Sequence, residues 1–176
     1  IEVGHYVRQA GKPWEHITVF DFSTFPILLR QRGGDIVDKD GNPTLTTPLA
    51  IDTGEFMQRL LDEEVASYTP RGSIHEDSFL GTGAIEDTLT LIAPEWYGMD
   101  LMKGLLPDMA GQWRAMPLPR WTDDMSSDSR TSSFGGQGLL IYAGSQHIDE
   151  SWDFINFVLN SPEGAVERFV NDNAFP

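Results

Sequence analysis

Apolar positions recur at helical spacing at the start of the chain. Val3, Tyr6, Val7 and Ala10 share one face, and Gly11 follows as a stop. The stretch "WEHITVFDF" reads as extended or loop. A helix is predicted from Ser23 or Thr24, with Phe25, Leu28 and Leu29 inward, ending at "RQRGG" with basic residues in its last turn. Asp38 to Pro43 ("DKDGNP") is a turn cluster. Thr47-Pro48 reads as an N-cap with proline at the first helical position, and Leu49, Phe56, Met57, Leu60 and Leu61 form the stripe of the helix that follows. "SYTPRGSIHEDS" is a predicted loop. Residues 88–93 ("TLTLIA") alternate and are rich in β-formers, which predicts a strand. A short helix is expected over Met99 to Leu106, and an edge strand over Gln112 to Pro119, whose prolines suit an edge or an exit. A polar loop then leads to "GLLIYA", a further expected strand. Two helices close the chain, one over Ile148 to Leu159 and one starting at the cap-and-proline signature Ser161-Pro162-Glu163. Strands alternating with helices, without an internal repeat, indicate the α/β class.

The length of 176 residues suffices for one domain with a real core, and 40% hydrophobic with 22% charged residues is a globular profile. The formal net charge of -15 argues against nucleic acid, which demands a basic footprint, and against an anionic membrane surface. It fits uncharged or cationic small partners. With no cysteine there is neither a disulfide framework nor thiolate chemistry. No stretch approaches the length of a membrane span. The opening "IEVGHYVRQAGK" has no Met and reads as lying inside a helix, so the chain is expected to be a piece of a longer protein.

Little in the sequence carries reactive chemistry. His5, His16, His75 and His147 are scattered without metal-ligand spacing, so no metal or other cofactor is expected. "DKDGN" superficially resembles a calcium loop, but its twelfth position, counted from Asp38, is Leu49 rather than an acid. "GTGAIE" leads into a strand rather than a helix, which fails the context of a dinucleotide fingerprint. The pairs Glu86-Asp87 and Asp123-Asp124 read as solvated acids, although two carboxylates facing each other across a bond would serve a glycosidase. Aromatic residues at strand ends stand out instead: Phe20, Phe22 and Phe25, then Trp96 in "APEWYG", then Phe134 before the glycines of "SSFGGQGLLI". Flat C–H faces of sugar rings pack on aromatic planes, while their hydroxyls seek polar partners.

The order of motifs resembles the sugar-binding proteins of bacterial ABC transporters, the extracellular solute-binding proteins that include maltose-binding protein and its relatives. The matching pieces are Pro94-Glu95-Trp96, Leu106-Pro107-Asp108, Gly111-Gln112-Trp113, Met116-Pro117-Leu118-Pro119, Phe134-Gly135-Gly136, Ser145-Gln146-His147, Ser151-Trp152-Asp153-Phe154, Ser161-Pro162-Glu163-Gly164 and Phe175-Pro176. Upstream, "LLRQRGGDIVDKDGNPTLTTP" fits the same pattern, so the likeness spans most of the chain. Two departures stand out. "FLGTGAIEDTLTL" replaces the usual "F..GKVAM", and Phe134 replaces the tryptophan of "WGG", which keeps a stacking face but loses the indole donor.

The resemblance implies an α/β fold of two lobes with ligand in the cleft between them. Residues 1–138 would form most of the second lobe of a type II periplasmic-binding-protein-like fold, a mixed sheet flanked by helices. Residues 139–176 would form a crossing strand and two helices packing toward the first lobe. The implied function is extracytoplasmic capture of a mono- or oligosaccharide, in the periplasm or on a cell-surface lipoprotein, by a monomer that delivers it to an ABC membrane permease and performs no catalysis. The implied ligand-binding residues are Trp96 and Phe134 as stacking platforms, Gly135 and Gly136 as exposed backbone, Phe22 and Asp21 beside them, and Glu95 as a further polar contact. Trp113, Trp121 and Trp152 read as structural. A carbohydrate-active enzyme using the carboxylate pairs, and an interaction domain without ligand, remain alternatives at this stage.

Overall fold

The computed structural model describes residues 1–10, 14–69, 73–74, 79, 85, 87–94, 96–123, 125–133, 135 and 138–172. Its centre is a parallel sheet of three short strands, β1 (His16–Phe20), β2 (Ala66–Tyr68) and β3 (Thr88–Thr90), in the order β2-β1-β3. Thr18 pairs with Ala66 on one side and with Thr90 on the other, so β1 is the buried middle strand. The α/β class holds. The expected mixed sheet does not: every pairing among the described strands is parallel. The reason lies in the two segments expected to complete it. Pro117 and Pro119 withhold backbone donors from residues 112–119, where Leu118 alone bonds across, to Arg130. Among the described residues, 138–142 have no partner strand, and Leu140 is 95% exposed.

Between β1 and β2 the chain makes α2 (Thr24–Gln31) and α3 (Pro48–Asp62); α1 (Glu2–Ala10) precedes them. The Thr47 side chain accepts the Ala50 N–H at 3.3 Å, and Pro48 opens α3, as the cap signature predicts. Asp38 Oδ1 accepts from the amides of Asp40 and Asn42, so the "DKDGN" stretch is a turn closed by its own aspartate.

Alternation along β1 sends neighbouring side chains to opposite faces, each with its own core. Val19 packs with Ile74, Phe79, Ile85 and Tyr97. Phe20 packs with Leu60, Val65 and Ala66 under α3. Beyond β3 the backbone forms a π-helical turn (Tyr97–Met102), which continues as α4 (Lys103–Leu105), where a short helix was expected. At the carboxyl end, α5 (Ile148–Asn160) and α6 (Pro162–Asp172) pack on each other. The Ser161 hydroxyl accepts from Gly164 N at 2.9 Å, the cap read from the sequence. Trp152 lies 56% exposed on α5, so it is not a core residue of this chain. Among the described residues no helix is long and apolar enough to cross a membrane.

α1 docks where α3 turns into β2. His5 meets Glu63 at 3.1 Å and Arg8 meets Glu64 at 2.9 Å, both pairs exposed, while Gly4 is pressed against Val65. A Cβ on Gly4 would stand 2.4 Å from the Cβ of Val65, whose side chain is fully buried. A branched Cβ has no rotamer by which to withdraw. Gly4→Ala is therefore expected to destabilise the fold by about 1–3 kcal/mol through overpacking, read from urea unfolding midpoints.

Candidate functional site

In an open parallel sheet the loops leaving the carboxyl ends of the strands diverge where the strand order switches, and ligands settle there. Here the chain leaves β1 toward β2 on one side and returns to β3 on the other. The switch point therefore lies between the carboxyl ends of β1 and β3. Phe22 follows the first of these and Trp96 the second.

Phe22 occupies the apex of a turn whose flanks are buried. Asp21 and Ser23 are each 2% exposed, while Phe22 between them is 59% exposed. The turn is built by the Asp21 carboxylate. Its Oδ1 accepts from Ser23 N at 2.9 Å, Ser23 Oγ at 2.6 Å and Thr24 Oγ1 at 3.3 Å. Its Oδ2 accepts from Ser73 Oγ at 2.8 Å and Ile74 N at 3.3 Å. Burial by itself pushes the Asp21 carboxyl up. The Ser23 and Ser73 hydroxyls, with the amides of Ser23 and Ile74, together outweigh burial and hold it below its ordinary value. The structure thus places Asp21 beneath the turn, its oxygens engaged by its own chain rather than turned outward to hydroxyls.

Trp96 caps the π-helical turn and is 40% exposed, with its ring centroid 6.4 Å from that of Tyr97. Tyr97 is buried, and its hydroxyl donates to Ile74 O at 2.5 Å. Burial first, and the Asp21 charge second, push the Tyr97 phenol well above its ordinary range, so it stays a donor. Ile74 thus receives Tyr97 on its carbonyl and gives its amide to Asp21. One peptide segment ties together the anchors beside Phe22 and Trp96. Tyr68, at the carboxyl end of β2, is a third aromatic on this edge and is 53% exposed.

Gly135 has φ +87°, with open space where a Cβ would stand. Positive φ explains glycine there as a turn requirement, and the open space leaves its backbone approachable. The chain reaching Gly135 is fixed to α2: Ser132 Oγ donates to Ile27 O at 2.5 Å, and Arg30 Nη1 donates to Ser133 O at 3.3 Å. Phe22 thus lies just before α2, and the chain leading to Gly135 is fixed to the same helix at Ile27 and Arg30. Phe134, Gly136 and Glu95 lie outside the described residues.

A separate cavity of about 730 Å³ lies over the other face of the sheet, between α2, α3 and residues 118–123, lined by Thr18, Phe20, Phe56, Thr90, Ile92 and Trp121 among others. Among the described residues none of the predicted ligand contacts lines it, so this cavity and the predicted site are different places. Of the carboxylate pairs, Asp123 is 3.2 Å from the buried guanidinium of Arg32 and accepts from Ser126 Oγ at 2.7 Å, which makes it a structural anion. Glu86 and Asp124 lie outside the described residues.

Sequence reasoning missed Ser73, Ile74 and Tyr97. The run Asp21-Phe22-Ser23-Thr24 carries a usable signal for the turn, since aspartate followed two residues on by a donor is the pattern of an Asx turn. The long-range partners carry none.

No family model matches the chain. Over 164 residues, 93% of this chain, it is 24% identical to the arabinooligosaccharide-binding protein of Bacillus subtilis (strain 168), covering 37% of that protein. Over 159 residues, 89% of this chain, it is 28% identical to the arabinooligosaccharide-binding protein of Halalkalibacterium halodurans, covering 35% of it. The chain spans little more than a third of the length of these curated relatives. The likeness to bacterial sugar-binding proteins read from the motif order is borne out by both.

The Asp21 network has a measurable consequence. A carboxyl held below its ordinary value of 3.8 in the fold stabilises the protein above that value, and the contribution is lost as pH falls through the folded value. Asp21→Asn replaces one acceptor oxygen with a donor facing donors and is expected to cost about 1–3 kcal/mol at pH 7. The gap between wild type and variant, read from urea unfolding at stepped pH, is expected to close in acid. A gap independent of pH would mean that the carboxylate charge does not hold the turn.

Proposed function

We propose that this chain is part of an extracytoplasmic binding protein that captures a short sugar on the carboxyl edge of its parallel sheet and passes it to an ABC membrane permease. The observation that carries the reading is the pair Phe22 and Trp96. Two exposed aromatic rings stand at the ends of adjacent parallel strands, each beside a buried polar anchor, and both anchors meet at Ile74. Buried polar groups that fix partly exposed apolar rings at a sheet edge are hard to account for by folding alone. A sugar gives such rings a use, since its C–H face stacks while its hydroxyls reach backbone groups such as those of Gly135. The names of both relatives support an arabinooligosaccharide as the ligand. Phe134, Gly136 and Glu95 complete the proposed contact set. Asp21 acts beneath it as the support of Phe22.

In the same reading, residues 1–138 are one lobe of a type II binding-protein fold, and residues 139–176 reach toward another. The run over 138–142, which has no partner strand among the described residues, supports this, as do Phe154 and Phe157 of α5, 64% and 51% exposed. The protein works as a monomer without catalysis, and its relatives are named as binding proteins rather than enzymes. The acidic chain suits a neutral ligand.

Calorimetric titration of the protein at the full length its gene encodes, with arabinose, arabinotriose and a panel of other sugars, tests the reading. Saturable heat with one sugar class and no product is expected. Trp96→Ala and Phe22→Ala are each expected to weaken binding about tenfold, the loss of roughly 1–2 kcal/mol of apolar contact, with the unfolding midpoint little changed. Silence across the panel, or continuous heat from turnover, would overturn it.

A further inference from the structure

The loop between residues 118 and 130 closes on itself, Leu118 N donating to Arg130 O at 2.9 Å and Arg130 Nε donating to Leu118 O at 3.2 Å. What fills its mouth is one neutral side chain. Gln31, the last residue of α2, is 1% exposed. Its Nε2 donates to Pro119 O at 2.7 Å and to Ser129 O at 3.0 Å, and its Oε1 accepts from Trp121 Nε1 at 3.0 Å. The Gln31 carbonyl also accepts from Ser127 Oγ. One residue thus holds the loop at positions 119, 121, 127 and 129. The indole N–H, which only donates, fixes which way the amide faces: turned over, its NH2 would oppose the indole and its oxygen would oppose two carbonyls. A lysine in its place could not accept, and a carboxylate could not donate.

Arg32 braces the same loop from the next position. Its Nε donates to Ser126 Oγ at 2.8 Å, and its guanidinium carbon lies 4.3 Å from the Trp121 ring centre. The chain leaving the loop runs straight to Ser132 and Ser133, the residues tied to Ile27 and Arg30, and then to Gly135.

We infer that Gln31 is a positioning residue of the sugar site: from the far end of α2 it sets the 118–130 loop, and through it the approach of Ser132, Ser133 and Gly135 to the Phe22 turn. The inference rests on the proposed sugar site and adds to it a residue that touches no ligand. Gln31 controls affinity by fixing the ligand-facing backbone before the ligand arrives, because a loop that must be ordered on binding lowers the affinity it can offer.

The test compares wild type with Gln31→Met, which keeps the length and removes all three side-chain hydrogen bonds, and with Trp121→Phe, which removes the indole donor and leaves a smaller ring facing Arg32. All are made in the full-length protein. Hydrogen–deuterium exchange of the free proteins comes first. Peptides covering 117–135 are expected to exchange at least tenfold faster in Gln31→Met, with a smaller rise in Trp121→Phe, while peptides covering 16–24 keep their wild-type rate. Arabinotriose affinity, measured well below every unfolding midpoint, is then expected to fall at least fivefold in Gln31→Met and less in Trp121→Phe. A merely structural role would lower the midpoint and leave that affinity unchanged. Should Gln31→Met not fold, Trp121→Phe decides by the same two readouts. Unchanged loop exchange overturns the inference. A freed loop with wild-type affinity also overturns it, and leaves the sugar site standing. Absence of saturable sugar binding in the wild type overturns both.

Discussion

The buried Asp21 carboxylate is the constraint on which the carboxyl edge of the sheet depends. An anion taken out of water is costly unless donors replace the water it loses. Here the donors come from two places far apart in sequence, the start of α2 at Ser23 and Thr24 and the segment at Ser73 and Ile74. Satisfying the charge therefore forces those segments together and fixes the turn that lifts Phe22 out of the surface. Tyr97 adds the third element by hydrogen-bonding the same Ile74 peptide. Neutralising the carboxylate without replacing its acceptor capacity would leave donors from both segments unmatched at once.

α2 carries that constraint outward. It is eight residues long, about 12 Å at the usual rise, and both of its ends are polar and buried. Asp21 lies at one end and Arg32 at the other. The Arg32 side chain is fully enclosed, with Nη1 donating to Thr53 Oγ1 at 2.8 Å and Nη2 lying 2.7 Å from Asp52 Oδ2 and 3.2 Å from Asp123 Oδ2. Those last two contacts are near enough for charge attraction but out of line for hydrogen bonds. Two half-exposed carboxylates around one buried cation let α3 and the 118–130 loop share a single anchor. Losing either acid would leave part of the charge without compensation, which is costlier than never burying it. A rigid helix pinned at both ends is a natural base for a site that must hold its geometry before a ligand arrives.

Local signals made much of this legible in the sequence. Thr47-Pro48 and Ser161-Pro162 announce their helices because a cap is decided by adjacent residues, and "DKDGN" announces its turn for the same reason. Strands were harder. The pattern over β1 fits extended chain or loop, and β2 lies partly inside a predicted loop, because three to five residues flanked by turns carry too little periodicity. The expected strands over 112–119 and 138–143 have strand-like composition but no partner strand among the described residues, and a strand is defined by pairing rather than by residue type. The basic last turn of α2 was read as a complement to the helix dipole. That reading suits Arg30, which meets Asp35 at 2.9 Å, and misses Arg32, whose burial depends on acids 20 and 91 positions further along. Asp21, implied as a ligand contact, does accept from hydroxyls, but they are those of Ser23, Thr24 and Ser73.

The geometry of the site also bears on why such a chain would be only one wall of it. Sites for small ligands cover most of the ligand's surface, and an open sheet edge cannot do that. A ring stacked on Phe22 or Trp96 would leave its other face in water. The chain carries surfaces suited to attaching a second wall. Residues 138–142 follow the glycine segment and have no partner strand among the described residues, while Leu140 and Tyr142 are 95% and 81% exposed. Phe154 on α5, 64% exposed, lies beside the same stretch. An extended run that pairs elsewhere would place its glycines at the junction of two bodies. Gly135, with its positive φ, would then stand where closure has to bend the chain, and one segment would both meet the ligand and permit the motion that encloses it.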